Sequence, residues 1–210
     1  MANMRILIAD DHLVVRKGLK LILLEEFPNA EIEDVPDAEE LVRKIMNGKW
    51  DVVVCDMTMP GRSGLDALQQ IKQIAPGLPV LILSFHSEEQ YALRVLKAGA
   101  SGYLNKGSAA EELVKAVQTV LLGKKYISET VAEKLATNIS KGEIQAHETL
   151  SDREFDVMKL LAEVKSVSDI AEMLSLSVTT ISTYRARVMQ KMNLKTNSDL
   201  TKYAIENKLI

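Results

Sequence analysis

Residues 51–64 read Asp51-Val52-Val53-Val54-Cys55-Asp56-Met57-Thr58-Met59-Pro60-Gly61-Arg62-Ser63-Gly64. Four apolar residues in succession, with no polar alternation, describe a short strand covered on both faces, as parallel strands are between helices. The run ends on a carboxylate, and Pro60-Gly61 with Gly64 breaks the chain directly after it. Asp56 thus stands at the carboxyl end of a buried strand, the edge where open α/β sheets bind their ligands.

Working outward, strand patterns fall near residues 5–9, 31–35, 51–55, 79–83 and 100–104, with amphipathic stretches between them. Ile6-Leu7-Ile8-Ala9 runs into Asp10-Asp11, Val80-Leu81-Ile82-Leu83 ends at Ser84, and Tyr103-Leu104 leads to Lys106. Asp37 precedes a helix over 38–46, and Gly99 ends the fourth helix. Ser87-Glu88-Glu89-Gln90 and Ser108-Ala109-Ala110-Glu111 have capping-box spacing. This strict alternation predicts an α/β fold, a doubly wound five-stranded parallel sheet.

The texture changes near residue 124. Val131, Leu135 and Ile139 allow one more helix over 129–140, and 140–148 reads as a polar linker in which His147 is solvated. Beyond it the chain reads as a small all-α domain. Ser151-Asp152-Arg153-Glu154 is a capping box opening 155–164, whose Phe155, Met158, Leu161 and Ala162 share a face. Ser166-Val167-Ser168-Asp169 opens 170–174, Ser175-Leu176-Ser177 is a short turn into 178–192, and 197–207 makes a last helix. Two helices joined by so short a turn form a helix-turn-helix. The predicted division is 1–124, a linker with one helix over 125–148, and 149–210.

Length, 47% hydrophobic residues and 26% charged residues describe a globular chain of one large or two ordinary domains. Apolar runs of four or five residues are far short of the about 20 needed to span a bilayer, so no membrane association is expected. The first residues lack a secretory core, and one cysteine, Cys55, in a buried strand fits a reducing cytoplasm. Net charge is −3. Residues 149–210 carry nine Lys/Arg and eight Asp/Glu against 17 and 21 in the remainder, which permits nucleic-acid binding without establishing it.

Asp10, Asp11 and Asp56 at one sheet edge would repel one another unless a cation lay among them. Oxygen donors select Mg²⁺ over zinc. Lys106 supplies charge and Ser84 a hydroxyl to phosphoryl oxygens, with His12 on the rim and His86 capping the loop after the fourth strand. Tyr103 reads equally as core packing.

Residues 5–122 resemble a two-component receiver domain, of flavodoxin-like fold. The resemblance rests on Asp10-Asp11, the Asp56–Gly61 segment with Gly64, Ser84, and Ala98-Gly99-Ala100-Ser101-Gly102-Tyr103-Leu104-Asn105-Lys106. It implies that Asp56 is the phosphoacceptor from a sensor histidine kinase. It further implies that Asp11, Asp56 and the backbone carbonyl of Thr58 ligate Mg²⁺, with Asp10 acting through water. Ser84 and Tyr103 match a switch pair. The implied activity is stoichiometric phosphotransfer and slow self-hydrolysis, so the chain is not expected to be an enzyme. Phe85 departs from a usual small residue, and Gly107 from a frequent acid.

Residues 149–207 resemble the LuxR-type helix-turn-helix, and the whole chain a NarL/FixJ-type response regulator. The carrying residues are Leu150–Glu154, Asp169-Ile170-Ala171, Leu174, Leu176-Ser177, Thr180-Ile181 and Lys191-Met192. In the second helix Ile181, Val188 and Met192 face the core, leaving a small polar face with basic flanks and no acid between 177 and 195. Such a helix enters a major groove of double-stranded DNA. The match puts Ser182, Thr183 and Ala186 nearest base edges and Thr180, Arg187 and Lys191 on the backbone. Val178 and Thr179 replace frequently charged residues, Ser182 a usual Lys and Tyr184 a usual His, and Lys165-Ser166-Val167-Ser168 stands where Gly-x-Ser-Asn is usual.

The expected function is therefore a cytoplasmic DNA-binding response regulator, homodimeric when phosphorylated or DNA-bound, on a palindromic operator. The alternatives are a phosphorylation-gated protein-interaction regulator that no longer binds DNA, motivated by Thr179 and Ser182, and a haloacid-type hydrolase, which lacks its Asp-x-Asp.

Overall fold

The alternating runs fold as β1 (Arg5–Ala9), α1 (Leu13–Glu26), β2 (Glu31–Val35), α2 (Ala38–Asn47), β3 (Val52–Asp56), α3 (Gly64–Ile74), β4 (Val80–Ser84), α4 (Glu88–Lys97), β5 (Gly102–Asn105) and α5 (Ala109–Leu121). The computed structural model describes residues 3–128, 131–132 and 145–210. The chain folds into two units, Met1–Thr137 and Asn138–Ile210.

In the first unit all five strands are parallel, in the order β2-β1-β3-β4-β5. The order reverses between β1 and β3, which opens a crevice at their carboxyl ends. β3 and β4 are buried at every residue, as uninterrupted apolar runs require, whereas the edge strand β2 alternates. Ile6, Ile8, Val54, Leu81 and Leu104 pack against Leu19 and Leu23 of α1 and Leu113 and Val117 of α5.

Strands three to five start one or two residues later than the sequence suggests. Asp51 turns instead: its N–H donates to the Arg5 carbonyl (2.9 Å) and its carboxylate accepts from the Arg5 N–H (2.7 Å). The shift makes Asp56 the last residue of its strand. Two capping boxes expected from spacing do not form. Ser108 has φ −104° and ψ 1°, outside the extended geometry that aims a cap, and its hydroxyl donates to the Asn105 carbonyl. Ser87 makes no side-chain cap; its carbonyl accepts from the N–H of Gln90 and Tyr91. Ser63 with Asp66 forms a box at α3 instead.

Lys125 and Tyr126, expected in the linker, pack on the first unit. The Tyr126 N–H donates to the Ser101 carbonyl (2.9 Å), forming a parallel bridge to Gly102, and its hydroxyl donates to Glu112 (2.8 Å). A Cβ on Gly102 would lie 2.7 Å from the Tyr126 carbonyl oxygen, so only glycine admits this approach. The helix expected over 129–140 lies outside the described residues apart from Val131, which is buried, and Ala132.

The second unit holds a 3₁₀ turn (Ala146–Thr149) and helices α6 (Asp152–Ala162), α7 (Val167–Met173), α8 (Val178–Lys191) and α9 (Asn197–Glu206). Its core is Phe155, Met158, Leu161, Ile170, Ile181, Val188, Leu200 and Ala204. α6, α7 and α9 open with reciprocal capping boxes on Ser151, Ser166 and Thr196, and Ser177 caps α8. Every one of these helices ends on a left-handed residue, and none is glycine: Val164, Ser175, Asn193 and Lys208. After α6 the N–H of Lys165 returns to the Leu160 carbonyl and that of Val164 to Leu161, a Schellman pair. His147 is not solvated as expected; its Nδ1 lies 2.9 Å from the Tyr203 hydroxyl, with the Phe155 ring 5.9 Å away.

Candidate functional site

The parallel register sets the first site. β1 and β3 are neighbours, so Asp10, one residue past β1, stands beside Asp56 at the end of β3. Adjacent strands are about 4.8 Å apart, and Lys106 comes from beyond β4, so only a long side chain spans the gap. The Lys106 N–H donates to the Ser84 carbonyl (2.8 Å), which aims its side chain across β4. Its Nζ reaches Asp10 Oδ2 at 2.6 Å and Asp56 Oδ2 at 2.8 Å. All three side chains are at most 5% exposed.

Asp11 adds a third carboxylate, with His12 Nδ1 2.8 Å from Asp11 Oδ1 and 3.3 Å from Asp10 Oδ1. The donor atoms of Asp10, Asp11, His12 and Asp56 lie within 4.8 Å of one another. Asp10 Oδ2 and Asp11 Oδ1 are buried, and the groups against them are the Lys106 ammonium at 2.6 Å and the His12 ring at 2.8 Å, with no backbone N–H on either. Buried carboxylate oxygens left in this condition suit a hard, oxygen-seeking cation such as Mg²⁺. Receiver domains typically bind Mg²⁺ at such an acidic cluster.

Burial pushes the Asp56 carboxyl up to about 6, against the pull of Lys106, with Asp10 adding to the rise. Burial pulls Lys106 downward, but the Asp10 and Asp56 carboxylates outweigh it and hold the ammonium above its ordinary value. One buried cation between two buried anions is a near-balanced resting state.

The loops are held closely. The Thr58 N–H donates to Asp56 Oδ1 (3.2 Å). A Cβ on Gly64 would fall 1.9 Å from the Asp56 carbonyl oxygen, which makes glycine obligatory there. Ser84 is buried and its hydroxyl accepts from the His86 N–H (3.0 Å). Tyr103 points inward, 1% exposed, donating its hydroxyl to the His86 carbonyl (2.8 Å). The loop after β4 therefore rests on Tyr103, and His86 stacks on Tyr91 at 4.8 Å. Phe85 is exposed, its ring centroid 5.2 Å from Lys106 Nζ.

The second site is the outer face of α8. Ile181, Val188 and Met192 are buried, as the spacing predicts, together with Met189. Val178, Thr179, Ser182, Thr183, Ala186, Arg187 and Gln190 are exposed in one continuous stripe. The Ser182 hydroxyl donates to the Val178 carbonyl (2.9 Å) and that of Thr183 to Thr179 (3.0 Å). Thr180 is tied to the cap, its N–H donating to Ser177 Oγ (3.0 Å). Lys191 departs from expectation in one respect. Its Nζ sits 2.6 Å from Glu154 Oε2, a buried carboxylate that also accepts from the Ser151 N–H (2.7 Å). That pairing spans 37 residues and carried no local signal in the sequence.

Residues 6–118 match the response regulator receiver domain, and residues 148–204 the luxR family of bacterial regulatory proteins. The oxygen regulatory protein NreC of Staphylococcus carnosus is 36% identical over 215 residues, covering 99% of both chains. RcsB from Salmonella enterica serovar Typhimurium, solved bound to a promoter in the presence of the phosphomimetic BeF₃⁻, is 29% identical with TM-score 0.60, covering 96% of this chain and 98% of that one. A further structure holds two RcsB dimers bound to two parallel DNAs, at 28% identity and TM-score 0.60 with the same coverage.

Proposed function

This chain belongs to the two-component response regulators that join a receiver domain to a LuxR-family DNA-binding domain, and we propose that Asp56 is its phosphoacceptor and α8 its reader of DNA. A sensor histidine kinase supplies the phosphoryl group. An Asp56 carboxylate oxygen attacks phosphorus, the P–N bond to the donor imidazole breaks, and an acyl phosphate forms. Attack of water on phosphorus later returns the carboxylate and inorganic phosphate. One phosphoryl group passes per cycle, so the chemistry serves as a timer.

Asp11, Asp56 and the Thr58 carbonyl would hold Mg²⁺, with Asp10 through a water; the ion would neutralise the carboxylates and the incoming phosphoryl oxygens. Lys106, now shared between Asp10 and Asp56, turns its ammonium to a phosphoryl oxygen. Ser84 exchanges its bond from the His86 N–H for one to the phosphoryl group. That releases the loop that Tyr103 supports and alters the surface of the receiver. The single observation carrying this reading is Lys106 Nζ held 2.6 and 2.8 Å from two buried carboxylates at the switch point of the sheet.

In the second unit α8 enters the major groove, with Ser182, Thr183 and Ala186 toward base edges and Thr180 and Arg187 toward phosphates. Lys191 supports the helix through Glu154 and reaches the backbone only where that pair opens. The RcsB dimers on DNA support a homodimer on a palindromic operator. The domain division is a receiver over 1–124, a linker over 125–148 whose start is fastened by Tyr126, and a DNA-binding domain over 149–210. No described helix is long and apolar enough to cross a membrane, and the cytoplasm, where kinase and DNA are both within reach, is the proposed compartment.

Intact mass after treatment with acetyl phosphate and Mg²⁺, followed by a mobility shift on genomic fragments, tests both halves. Wild type should gain one phosphoryl group and bind DNA; Asp56→Asn should gain none. Equal phosphorylation of Asp56→Asn would move the acceptor elsewhere, and no shift with any fragment would favour a protein-interaction output.

A further inference from the structure

The exposed stripe of α8 carries an unusual selection of chemistry. A main-chain carbonyl can only accept, so the protons of the Ser182 and Thr183 hydroxyls are spent inside the helix on Val178 and Thr179. What these side chains present outward is oxygen lone pairs and, for Thr183, a methyl group. Val178, which is 51% exposed, and Ala186 add further methyl surface. The one amide on the stripe is Gln190.

The cations of the helix are placed elsewhere. Lys191 is held by Glu154, and Arg185 Nε donates to Asn197 Oδ1 (3.0 Å). Arg187 is exposed toward the end of the stripe, and its first two turns hold no Arg or Lys at all. Guanine is read chiefly by Arg or Lys donating to O6 and N7, whereas adenine offers an N6 amino donor and thymine a C5 methyl group. Acceptor oxygens, methyl groups and an amide match the second set.

We propose that the half-site read by α8 is built of A·T pairs, with thymine methyl groups packed on Thr183, Ala186 and Val178. Adenine amino groups donate to the Ser182 and Thr183 hydroxyl oxygens and to Gln190, and Arg187 lies on phosphate. This rests on the DNA-binding reading above and names the class of sequence that the same surface takes.

The test uses the full-length phosphorylated chain and a random duplex library, followed by binding to the selected site with each thymine replaced in turn by deoxyuridine. Losing one packed methyl group should weaken binding about fourfold. Thr183→Ser, which keeps the hydroxyl and removes the methyl, should abolish that difference at one thymine and leave the others intact. Selected half-sites with guanine at two or more positions under the helix, or deoxyuridine substitution without effect, would overturn the proposal while leaving DNA binding in place. Absence of any duplex binding would overturn both.

Discussion

The two sites of this chain are built on opposite terms. The receiver site is buried and charged: Asp10, Asp56 and Lys106 have almost no access to water, and glycines make its turns. The α8 face is exposed and nearly neutral along its first two turns, on a unit with no glycine from residue 145 to 210. The proposed covalent switch needs charges poised close to balance, so that one new phosphoryl group tips them. A face proposed to read a groove needs shape and hydrogen-bonding pattern, and α8 offers both on a helix capped by Ser177. The first region stores its response in electrostatics, and the second stores its information in which atoms face outward.

That contrast is broken most severely by Gly64→Ala. A methyl group placed 1.9 Å from the Asp56 carbonyl oxygen must displace β3 or α3. A loss of about 3 kcal/mol in unfolding free energy is expected, with phosphorylation impaired as well. Chemical denaturation against wild type measures it.

Lys106→Met leaves two buried carboxylates with no ammonium. In metal-free buffer this should cost about 2–3 kcal/mol, and Mg²⁺ should restore much of it. The effect of the ion in wild type should depend on pH with a defined sign. Asp56 is raised from its ordinary value near 3.8 to about 6, so its contribution to stability is present below the unfolded value and lost as pH rises through about 6. Ionised Asp56 therefore strains the metal-free fold above that point. The thermal shift on adding Mg²⁺ should be larger near about pH 7.5 than near about pH 5, and thermal melts at both would show it.

Val164→Gly sharpens the comparison from the other side. A β-branched residue at φ 63° is strained in the left-handed region, and Val164 is exposed with no packing role to lose. Glycine there should raise the stability of the helical unit by about 1 kcal/mol, read as an increase in its Tm, with DNA affinity unchanged. Smallest is Phe85→Ala. The ring over Lys106 shields the ammonium, and its removal should shorten the lifetime of the acyl phosphate by about threefold. Equal lifetimes for the two proteins would remove any role for the ring.

The buried strands were legible because runs such as Val52–Cys55 have one reading, and the order of side chains at their ends located Asp10, Asp11, Asp56, Ser84 and Lys106 from sequence alone. Strand starts were less legible: Asp51 has the same neighbours whether it begins β3 or turns into it, and its bonds to Arg5 decide. Capping by spacing succeeded at Ser151 and failed at Ser87 and Ser108, because the pattern fixes residue types but leaves backbone angles open. The Lys191–Glu154 pair, the contact of His147 with Tyr203 and the bridge from Tyr126 to Gly102 are long-range, and no local spacing encodes them. The α8 face was read correctly as small and polar, but the direction of its hydroxyl protons is a matter of geometry alone.

Tyr126 has a consequence for how this protein tolerates change in length. By adding one residue to the open margin of β5, it occupies hydrogen-bonding positions on which a neighbouring molecule's strand could otherwise stack. A deletion between Leu121 and Tyr126 would therefore uncover that margin and invite self-association.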